Sequence, residues 1–171
     1  MILEYKMRKG AKAPQRANPS DAGLDVFFQP IDPATCAIKL EPGENQLLST
    51  GLSFGVPHGY MLQVCNRSSM GAKRSLVVGA HIIDSGYEGE VFIDLHNIGK
   101  ETQYIAVGEK IAQLVLVPVV HFRALKLEEE EKSLYDTPIT ISDRGDGSLG
   151  STDQGAITVT DAMNEMPVGG W

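Results

Sequence analysis

Short β-prone runs separated by glycine and proline are the feature that most restricts how this chain of 171 residues can fold. Helical periodicity is almost absent, and only Ser68–Arg74 is compatible with one or two helical turns. Many short strands with turn chemistry between them predict an all-β barrel or jelly roll. The predicted strands are Ile2–Tyr5, Leu24–Phe28, Cys36–Leu40, Gln46–Thr50, Leu52–Val56, Tyr60–Cys65, Val91–Asn97, Gln103–Ala106 and Lys110–Phe122.

The sequence patterns of one turn and one strand are specific enough to predict a turn type and the side chains on each strand face. In Glu41–Glu44, proline and then glycine occupy the two central turn positions, which predicts a type II turn. In Val91–Asn97, apolar residues alternate with a mixed set, so one face belongs to the core. The other face carries Phe92, Asp94 and His96, and we expect it to meet a subunit interface or a hydrated channel.

Composition narrows the class of partner. The formal net charge of -7 argues against a general affinity for nucleic acid, although local cations and a metal ion can still bind a nucleotide. Cys36 and Cys65 lack metal-ligand spacing and are too few for a disulfide framework, which predicts an intracellular, cytoplasmic setting. No apolar run approaches the length of a membrane span, so we expect a soluble protein without a membrane partner.

The chain changes character after Phe122, where the strand pattern gives way to a charged segment. A glycine-rich stretch follows that segment, headed by Arg144. We therefore predict a single domain, with a β core over residues 1–122 and a C-terminal segment and arm over residues 123–171.

Two stretches are candidates for binding an anion. Arg67 offers a rigid fork of donors for phosphate oxygens, and Ser68 and Ser69 add hydroxyls; the alternative is a helix capped by one of these serines. Arg144 stands before a loop whose glycines allow backbone amides to approach an anion; the alternative is a flexible linker. Gln113 begins an apolar strand and needs a polar partner if it is buried.

Asp84 is the candidate base. It follows the apolar pair Ile82–Ile83, so it lies at the tip of a strand, where an ionised carboxylate could orient and deprotonate a water molecule. The alternative is a turn-forming aspartate, because Asp-Ser-Gly is common in hairpins. Tyr87 could offer its ring to a sugar, or could be a half-buried strand aromatic.

Five motifs occur in the order in which they occur in the homotrimeric dUTP diphosphatase (dUTPase) family, and the chain resembles that family as far as Thr152. The resemblance implies a β jelly roll that forms homotrimers with a C-terminal arm. It also implies Mg²⁺-dependent hydrolysis of dUTP to dUMP and pyrophosphate. The motifs are Ala22–Asp25, Arg67–Gly71, Gly79–Gly89, Gly108–Leu114 and Arg144–Thr152.

The resemblance assigns a role to each candidate. Asp84 would be the general base for attack of water on the α-phosphorus, and Tyr87 would pack beneath the deoxyribose. Backbone groups of the hairpin that contains Gly79, Ile82 and Ile83 would pair with uracil. The triphosphate would be bound by Arg67, Ser68, Ser69 and Gln113, and the arm would close through Arg144, Leu149, Gly150 and Ser151.

Two further implications concern the metal and the assembly. Mg²⁺ would be held mainly by the triphosphate and by water molecules near Asp25, with no set of protein ligands. Each active site would combine three chains, so Arg67 and Asp84 of one chain would serve two different sites.

Departures from the family pattern keep two alternatives open. An aromatic residue usually stands where the chain has Leu149, a glycine where it has Asp153, and another glycine where it has His81. His81 matches the corresponding segment of the related dCTP deaminases, and Asp94 stands where those enzymes have an essential glutamate, which is one methylene longer. A deaminase or a bifunctional enzyme is therefore the leading alternative. A non-catalytic trimeric interaction protein is the other.

Overall fold

The structure, a computed structural model, describes residues 1–128 and is all-β apart from one short helix, as the sequence predicts. Between Met1 and Arg123 the chain forms one compact unit. Its elements are β1 (Glu4–Met7), β2 (Leu24–Phe27), β3 (Ala37–Leu40), β4 (Asn45–Ser49), β5 (Leu52–Gly55), β6 (Tyr60–Cys65), α1 (Ser68–Arg74), β7 (Leu76–Val78), β8 (Ile82–Ile83), β9 (Phe92–Asn97), β10 (Gln103–Ala106) and β11 (Lys110–Pro118).

Four antiparallel sheets build this unit. The largest has the order β2-β11-β6-β8, and a second has the order β4-β9-β7. Two-stranded ribbons join β1 with β5 and β3 with β10. Neighbours in the sheets are often distant in sequence, so the sheets bring predicted motifs together. The first and fourth motifs lie at β2 and β11, and the second motif follows the end of β6, which pairs with β11.

The core lies between the sheets. In β9 and the residue before it, Val91, Ile93 and Leu95 are buried, whereas the alternate side chains are half-exposed, which confirms the predicted alternation. At about 25 cal/mol per Å² of apolar area, burying such side chains stabilises the fold by about 1.5–3 kcal/mol each. The remaining core residues include Leu40, Leu48, Leu52, Leu62, Leu76, Ile105, Ile111 and Leu114.

The predicted turn at Glu41–Glu44 is confirmed. The backbone N–H of Glu44 donates to the carbonyl of Glu41 at 3.1 Å, and Gly43 has a φ of 81°. A positive φ at the third position is what a type II turn requires, and glycine adopts it without steric cost.

The last strand is shorter than predicted. It ends at Pro118 rather than Phe122, because its partner β6 begins at Tyr60, which pairs with Pro118. Beyond this point Val119 makes one more backbone bond, to Gly59 at 2.8 Å, and residues 120–128 have no regular structure.

The chain divides after Arg123, and residues 124–128 belong to a second unit, in which Lys126 and Glu128 form an ion pair at 2.7 Å. The division of the chain into a core over residues 1–122 and an arm over residues 123–171 stays a prediction, since most of the second span lies outside the described residues. Within residues 1–128, no helix has the length and hydrophobicity needed to cross a bilayer.

Candidate active site

A tight turn presents Asp84 and Tyr87 from the end of β8. The backbone N–H of Tyr87 donates to the carbonyl of Asp84 at 3.2 Å, and Gly86 between them has a φ of 88°. Asp84 follows Ile83 directly and is exposed, which confirms its predicted position at the tip of a strand. An exposed carboxylate at a rigid turn is accessible both to water and to a ligand.

A cleft of about 310 Å³ contains this turn, and four of the predicted site residues line it: Ile82, Ile83, Asp84 and Tyr87. This volume is near the lower end of the range for small-molecule sites, about 300–1,000 Å³. A larger groove of about 650 Å³ runs along β1 and β5, but none of the predicted site residues lines it. The smaller cleft is therefore the candidate active site, because the candidate base Asp84 lines it.

Sequence reasoning missed four residues that line this cleft: Leu47, Glu90, Val91 and Phe92. The alternation in β9 places Phe92 on the face away from the core, so the sequence contained a partial indication that Phe92 could line a cleft. Leu47 reaches the same face because β4 pairs with β9, and that pairing is invisible in a single sequence.

The ring of Tyr87 is held by two neighbours. Its hydroxyl donates to the carbonyl of Glu90 at 2.8 Å. The ring lies over Gly89 so closely that a Cβ there would come within 2.5 Å of the phenolic oxygen. Glycine at position 89 is therefore needed for the ring to occupy this place. About 45% of Tyr87 is exposed and the residue lies between β8 and β9, so it is not a half-buried strand aromatic.

A second cluster gathers residues from three motifs around the carboxylate of Asp25. Arg67 donates its Nε–H to Oδ1 at 2.9 Å, and Lys110 donates from Nζ to Oδ2 at 2.7 Å. Arg67 also reaches Ser69 Oγ at 3.4 Å. Two cations surround one carboxylate, so the cluster carries a local positive charge within an acidic chain, which suits an anion.

The start of α1 decides between two interpretations of the Arg-Ser-Ser stretch. Arg67 itself is the N-cap residue, and its side chain makes no capping hydrogen bond. The interpretation of Ser68 or Ser69 as the N-cap, with Arg67 as an ordinary surface residue, is therefore wrong. Ser68 is exposed at the first helical position. Nearby, Gln113 finds the polar partner it needs, donating from Nε2 to the carbonyl of Asn66 at 2.9 Å.

The two clusters lie toward opposite ends of β6. On one edge of β6, Ile83 pairs with Leu62, so Asp84 continues toward the start of that strand. On the other edge, Gln113 pairs with Cys65 at the end of the strand, and Arg67 lies two residues further on. This register places Asp84 level with Met61, so at roughly 3.3 Å per residue Asp84 and Arg67 are about 20 Å apart along the strand axis.

Gly79 begins the hairpin that leads to Asp84, and neighbouring side chains leave no room for a Cβ at this position. Its N–H donates to the carbonyl of Asp94 at 2.8 Å, and a Cβ would collide with the side chains of Asp94 and His96. His81, the residue that departs from the family pattern, donates from Nδ1 to the carbonyl of Val64 at 2.8 Å. That bond ties its imidazole to β6.

The carboxylate of Asp94 is fully engaged. Asn45 donates to Oδ1 at 2.9 Å and His96 Nε2 bonds Oδ2 at 2.9 Å. The hydrogen bond from Asn45, aided by His96, holds the pKa of Asp94 below its ordinary value despite an opposing effect of burial. An ionised carboxylate with both oxygens occupied is poorly suited to shuttle protons in a deaminase.

A divalent metal ion fits this site only if the substrate brings most of its ligands. Within residues 1–128 no three His, Cys, Asp or Glu side chains are grouped as a metal cage. Asp25 is the acidic residue of the phosphate cluster, and both its oxygens already bond cationic side chains. Mg²⁺ commonly keeps several waters and binds through substrate phosphates, so this donor set is compatible with it. Arg144, Leu149, Gly150 and Ser151 lie outside the described residues.

Comparisons with known proteins place the chain in a family. The family model described as dUTPase matches residues 9–152. Proteins named deoxyuridine 5′-triphosphate nucleotidohydrolase are similar over most of their length. That of Chlamydia muridarum is 32% identical and covers 86% of this chain and 94% of its own. That of Ectopseudomonas mendocina is 40% identical and covers 75% of this chain and 86% of its own.

Solved structures of phage proteins share the fold. A mutant dUTPase of Staphylococcus bacteriophage 80alpha, solved with dUpNHpp, has a TM-score of 0.71 and 29% identity, covering 88% of this chain and 98% of its own. A mutant dUTPase of phage phi11 of S. aureus, described as coordinating a structural Mg(II) ion, has a TM-score of 0.66 and 26% identity. The match covers 77% of this chain and 100% of the phi11 chain.

Proposed function

The chain belongs to the dUTPase family, and from this premise we propose that it hydrolyses dUTP to dUMP and pyrophosphate with Asp84 as the general base. The observation that carries the proposal is the cleft in which Asp84 and Tyr87 stand on one rigid turn beside Ile82 and Ile83. A family relationship alone would not identify a base, but a solvent-exposed carboxylate at the edge of a nucleoside-sized cleft is suited to the role.

The reaction needs a water molecule directed at the α-phosphorus. Asp84 accepts a proton from that water as its oxygen bonds to phosphorus, and pyrophosphate leaves with the electrons of the broken P–O bond. Positioning of a general base contributes typically 10²–10⁴-fold to such a rate. The backbone bond from Tyr87 N–H to the carbonyl of Asp84 supports the proposal, because it keeps the two residues on one turn at the edge of the same cleft.

Recognition of uracil is assigned to the backbone of the hairpin. Gly79, Ala80, His81 and Ile82 are exposed there, so the main-chain groups that do not already bond Asp94 or Val64 are accessible to a base. Main-chain donors and acceptors in fixed order match the edge of uracil and leave cytosine with unpaired polar groups, which discriminates strongly. Because Asp94 is engaged by Asn45 and His96, dCTP deamination is not favoured.

The triphosphate is assigned to the cluster around Asp25. Arg67, Ser68, Ser69 and Gln113 supply donors, and the arm residues Arg144, Leu149, Gly150 and Ser151 complete the enclosure. When bound with the substrate, Mg²⁺ would polarise the phosphoryl group and offset its charge. The acidic chain makes a nucleic acid an unsuitable partner. The free thiols of Cys36 and Cys65 support an intracellular setting.

We assign the working assembly to a homotrimer. Asp84 and Arg67 lie toward opposite ends of β6, and this separation supports a site that a neighbouring chain completes. Exposed apolar side chains such as Leu47, Ile98 and Phe122 support burial against other copies.

Product analysis tests the reaction. The protein is incubated with Mg²⁺ and either dUTP or dCTP, and pyrophosphate and ammonia are both measured. Pyrophosphate from dUTP alone is expected. Ammonia from dCTP would instead identify a deaminase, and neither product would identify a binding protein.

Mixing two inactive variants tests the shared site. Arg67→Ala and Asp84→Asn chains are unfolded together and refolded, and activity is compared with that of each variant refolded alone. If one chain supplies Arg67 and another Asp84, random assortment restores about a quarter of the sites. Absence of any recovery in mixed trimers of correct mass would place both residues in one chain's site.

A further inference from the structure

We propose that Arg8 and Glu90 are positioning residues that fix the ring of Tyr87 and so determine how strongly the enzyme rejects a ribose 2′-hydroxyl. The inference rests on the proposed function and on the role that the family resemblance implies for Tyr87, beneath the deoxyribose. It adds two residues that lie outside the five sequence motifs. Glu90 lines the same cleft as Asp84 and Tyr87.

The side chain of Glu90 is bound to the connection between β4 and β5. Its Oε1 accepts the backbone N–H of Gly51 at 2.8 Å and also bonds Ser49 Oγ. Its Oε2 accepts from Arg8 Nη1 at 3.3 Å. Only about 24% of the Glu90 side chain is exposed, so these bonds are partly shielded from water.

Arg8 joins this carboxylate to the barrel. Its Nη2 donates to the carbonyls of Gln29 at 2.6 Å and Pro30 at 3.1 Å, and to Ser49 Oγ at 3.2 Å. Its backbone N–H donates to the carbonyl of Gly51 at 2.8 Å. One guanidinium therefore connects the segment after β1, the segment after β2 and the start of β9.

The backbone next to Glu90 is equally constrained. Thr50 Oγ1 donates to the carbonyl of Val91 at 2.6 Å, and Val91 N–H donates to the carbonyl of Leu52 at 2.7 Å. The carbonyl of Glu90 is thus a fixed acceptor, and it is the group that receives the hydroxyl of Tyr87 at 2.8 Å.

These contacts set the height of the ring in the cleft. The hydroxyl is held at one end by Glu90, and the ring rests on Gly89, so it can neither rise nor sink without breaking a contact. A ring at fixed height can exclude one additional oxygen on a sugar, whereas a mobile ring would yield to it. We therefore expect the selectivity for dUTP over UTP to depend on Glu90 and Arg8, although neither contacts the reacting atoms.

The test compares kcat and KM for dUTP and for UTP across Glu90→Ala, Glu90→Gln, Tyr87→Phe and the control Glu88→Ala. Glu88 is an exposed acid two residues away on the same loop. Loss of the hydrogen bond between the Tyr87 hydroxyl and the Glu90 carbonyl allows up to about a tenfold effect. Tyr87→Phe removes this bond, and Glu90→Ala releases the backbone that accepts it by removing the side-chain bonds to Gly51, Ser49 and Arg8. Each variant should therefore lower the dUTP-to-UTP ratio of kcat/KM about tenfold. The change should arise mainly in KM. Glu90→Gln keeps an acceptor for Gly51 and should stay within about threefold of wild type, as should Glu88→Ala.

The double variant Glu90→Ala/Tyr87→Phe gives the decisive result. If Glu90 acts through the Tyr87 hydroxyl, the double variant loses no more selectivity than either single variant. Additive losses, or an unchanged ratio in Tyr87→Phe, which removes only an exposed hydroxyl, would overturn the proposal. A wild-type protein that releases no pyrophosphate from dUTP would instead refute the proposed function, so the two failures are distinguishable.

Discussion

Arg67 donates its Nε–H to the carboxylate of Asp25 at 2.9 Å, and this bond joins residues that are 42 positions apart in the sequence. The second oxygen of Asp25 accepts from Lys110 at 2.7 Å. Only about 15% of the Asp25 side chain is exposed, so the pair is shielded more than a surface ion pair. The carboxylate therefore fixes the direction in which the guanidinium offers its remaining donors to a phosphate.

Replacing Asp25 by Asn should weaken triphosphate binding without unfolding the chain. An amide keeps one acceptor but adds donors that face Arg67 or Lys110, so we expect kcat/KM for dUTP to fall by about 10–100-fold, with a raised KM. Steady-state kinetics with dUTP measures the effect. Asp32→Asn, in the exposed loop after β2, is the control and should leave kcat/KM unchanged. A normal KM in Asp25→Asn would contradict the positioning of Arg67.

Asp84→Asn tests the assignment of the base. The amide keeps the size of the side chain but cannot take a proton, so kcat should fall by about 10²–10⁴-fold. The dissociation constant of a non-hydrolysable dUTP analogue, measured by calorimetry, should remain within a few fold of the wild-type value. The mass of the assembly should not change. Turnover near that of wild type would refute the base assignment.

Local sequence patterns predicted local structure well. Alternation identified the core face of β9, and the Pro-Gly pair identified the turn at Glu41–Glu44. The bounds of α1 are also as predicted. The pattern Ile-Ile-Asp also placed Asp84 correctly at the end of β8. In each case the signal and the structure involve residues within a few positions of each other.

Contacts between distant parts of the chain could not be predicted in this way. Glu90 and Arg8 are 82 positions apart, and nothing in either local pattern indicates the other. The alternative of a serine cap at α1 is wrong for a related reason, because the side chain of Arg67 bonds the distant Asp25. The end of β11 at Pro118 depends on where its partner strand begins.

Truncation before Arg144 should separate catalysis from folding. The predicted arm follows the compact unit Met1–Arg123, so removing residues 144–171 should preserve the unfolding temperature of that unit within a few degrees. Loss of Arg144 and the arm's remaining donors should lower kcat/KM for dUTP by about 10²-fold or more, as expected when phosphate-binding groups are removed. Kinetics and thermal unfolding of the truncated chain measure both. Unchanged kinetics would refute the role of the arm.

The pair of Asp94 and His96 should make stability depend on pH in the acid range. Because hydrogen bonds from Asn45 and then His96 lower the pKa of Asp94 below 3.8, folding favours its ionised form. This stabilisation is present above about pH 4 and is lost as the pH falls through the lower folded-state pKa. Asp94→Asn cannot ionise, so the difference in unfolding temperature between wild type and variant should shrink from pH 6 to pH 3. A constant difference over that range would contradict the effect.

Gly79→Ala should be damaging for a reason that its backbone angles do not reveal, since its φ is not positive. A methyl group at this position would meet the side chains of Asp94 and His96, both held by hydrogen bonds, so either the pair or the hairpin must move. We expect a loss of about 1–3 kcal/mol in the free energy of unfolding, the usual effect of overpacking, together with weaker dUTP binding. The matched control is Gly71→Ala within α1, where a Cβ meets no atom within 4 Å. That substitution should raise the free energy of unfolding by up to about 1 kcal/mol, because alanine favours the helix. Equal stability effects of the two substitutions in chemical denaturation would show that the packing of Asp94 and His96 against Gly79 does not constrain the hairpin.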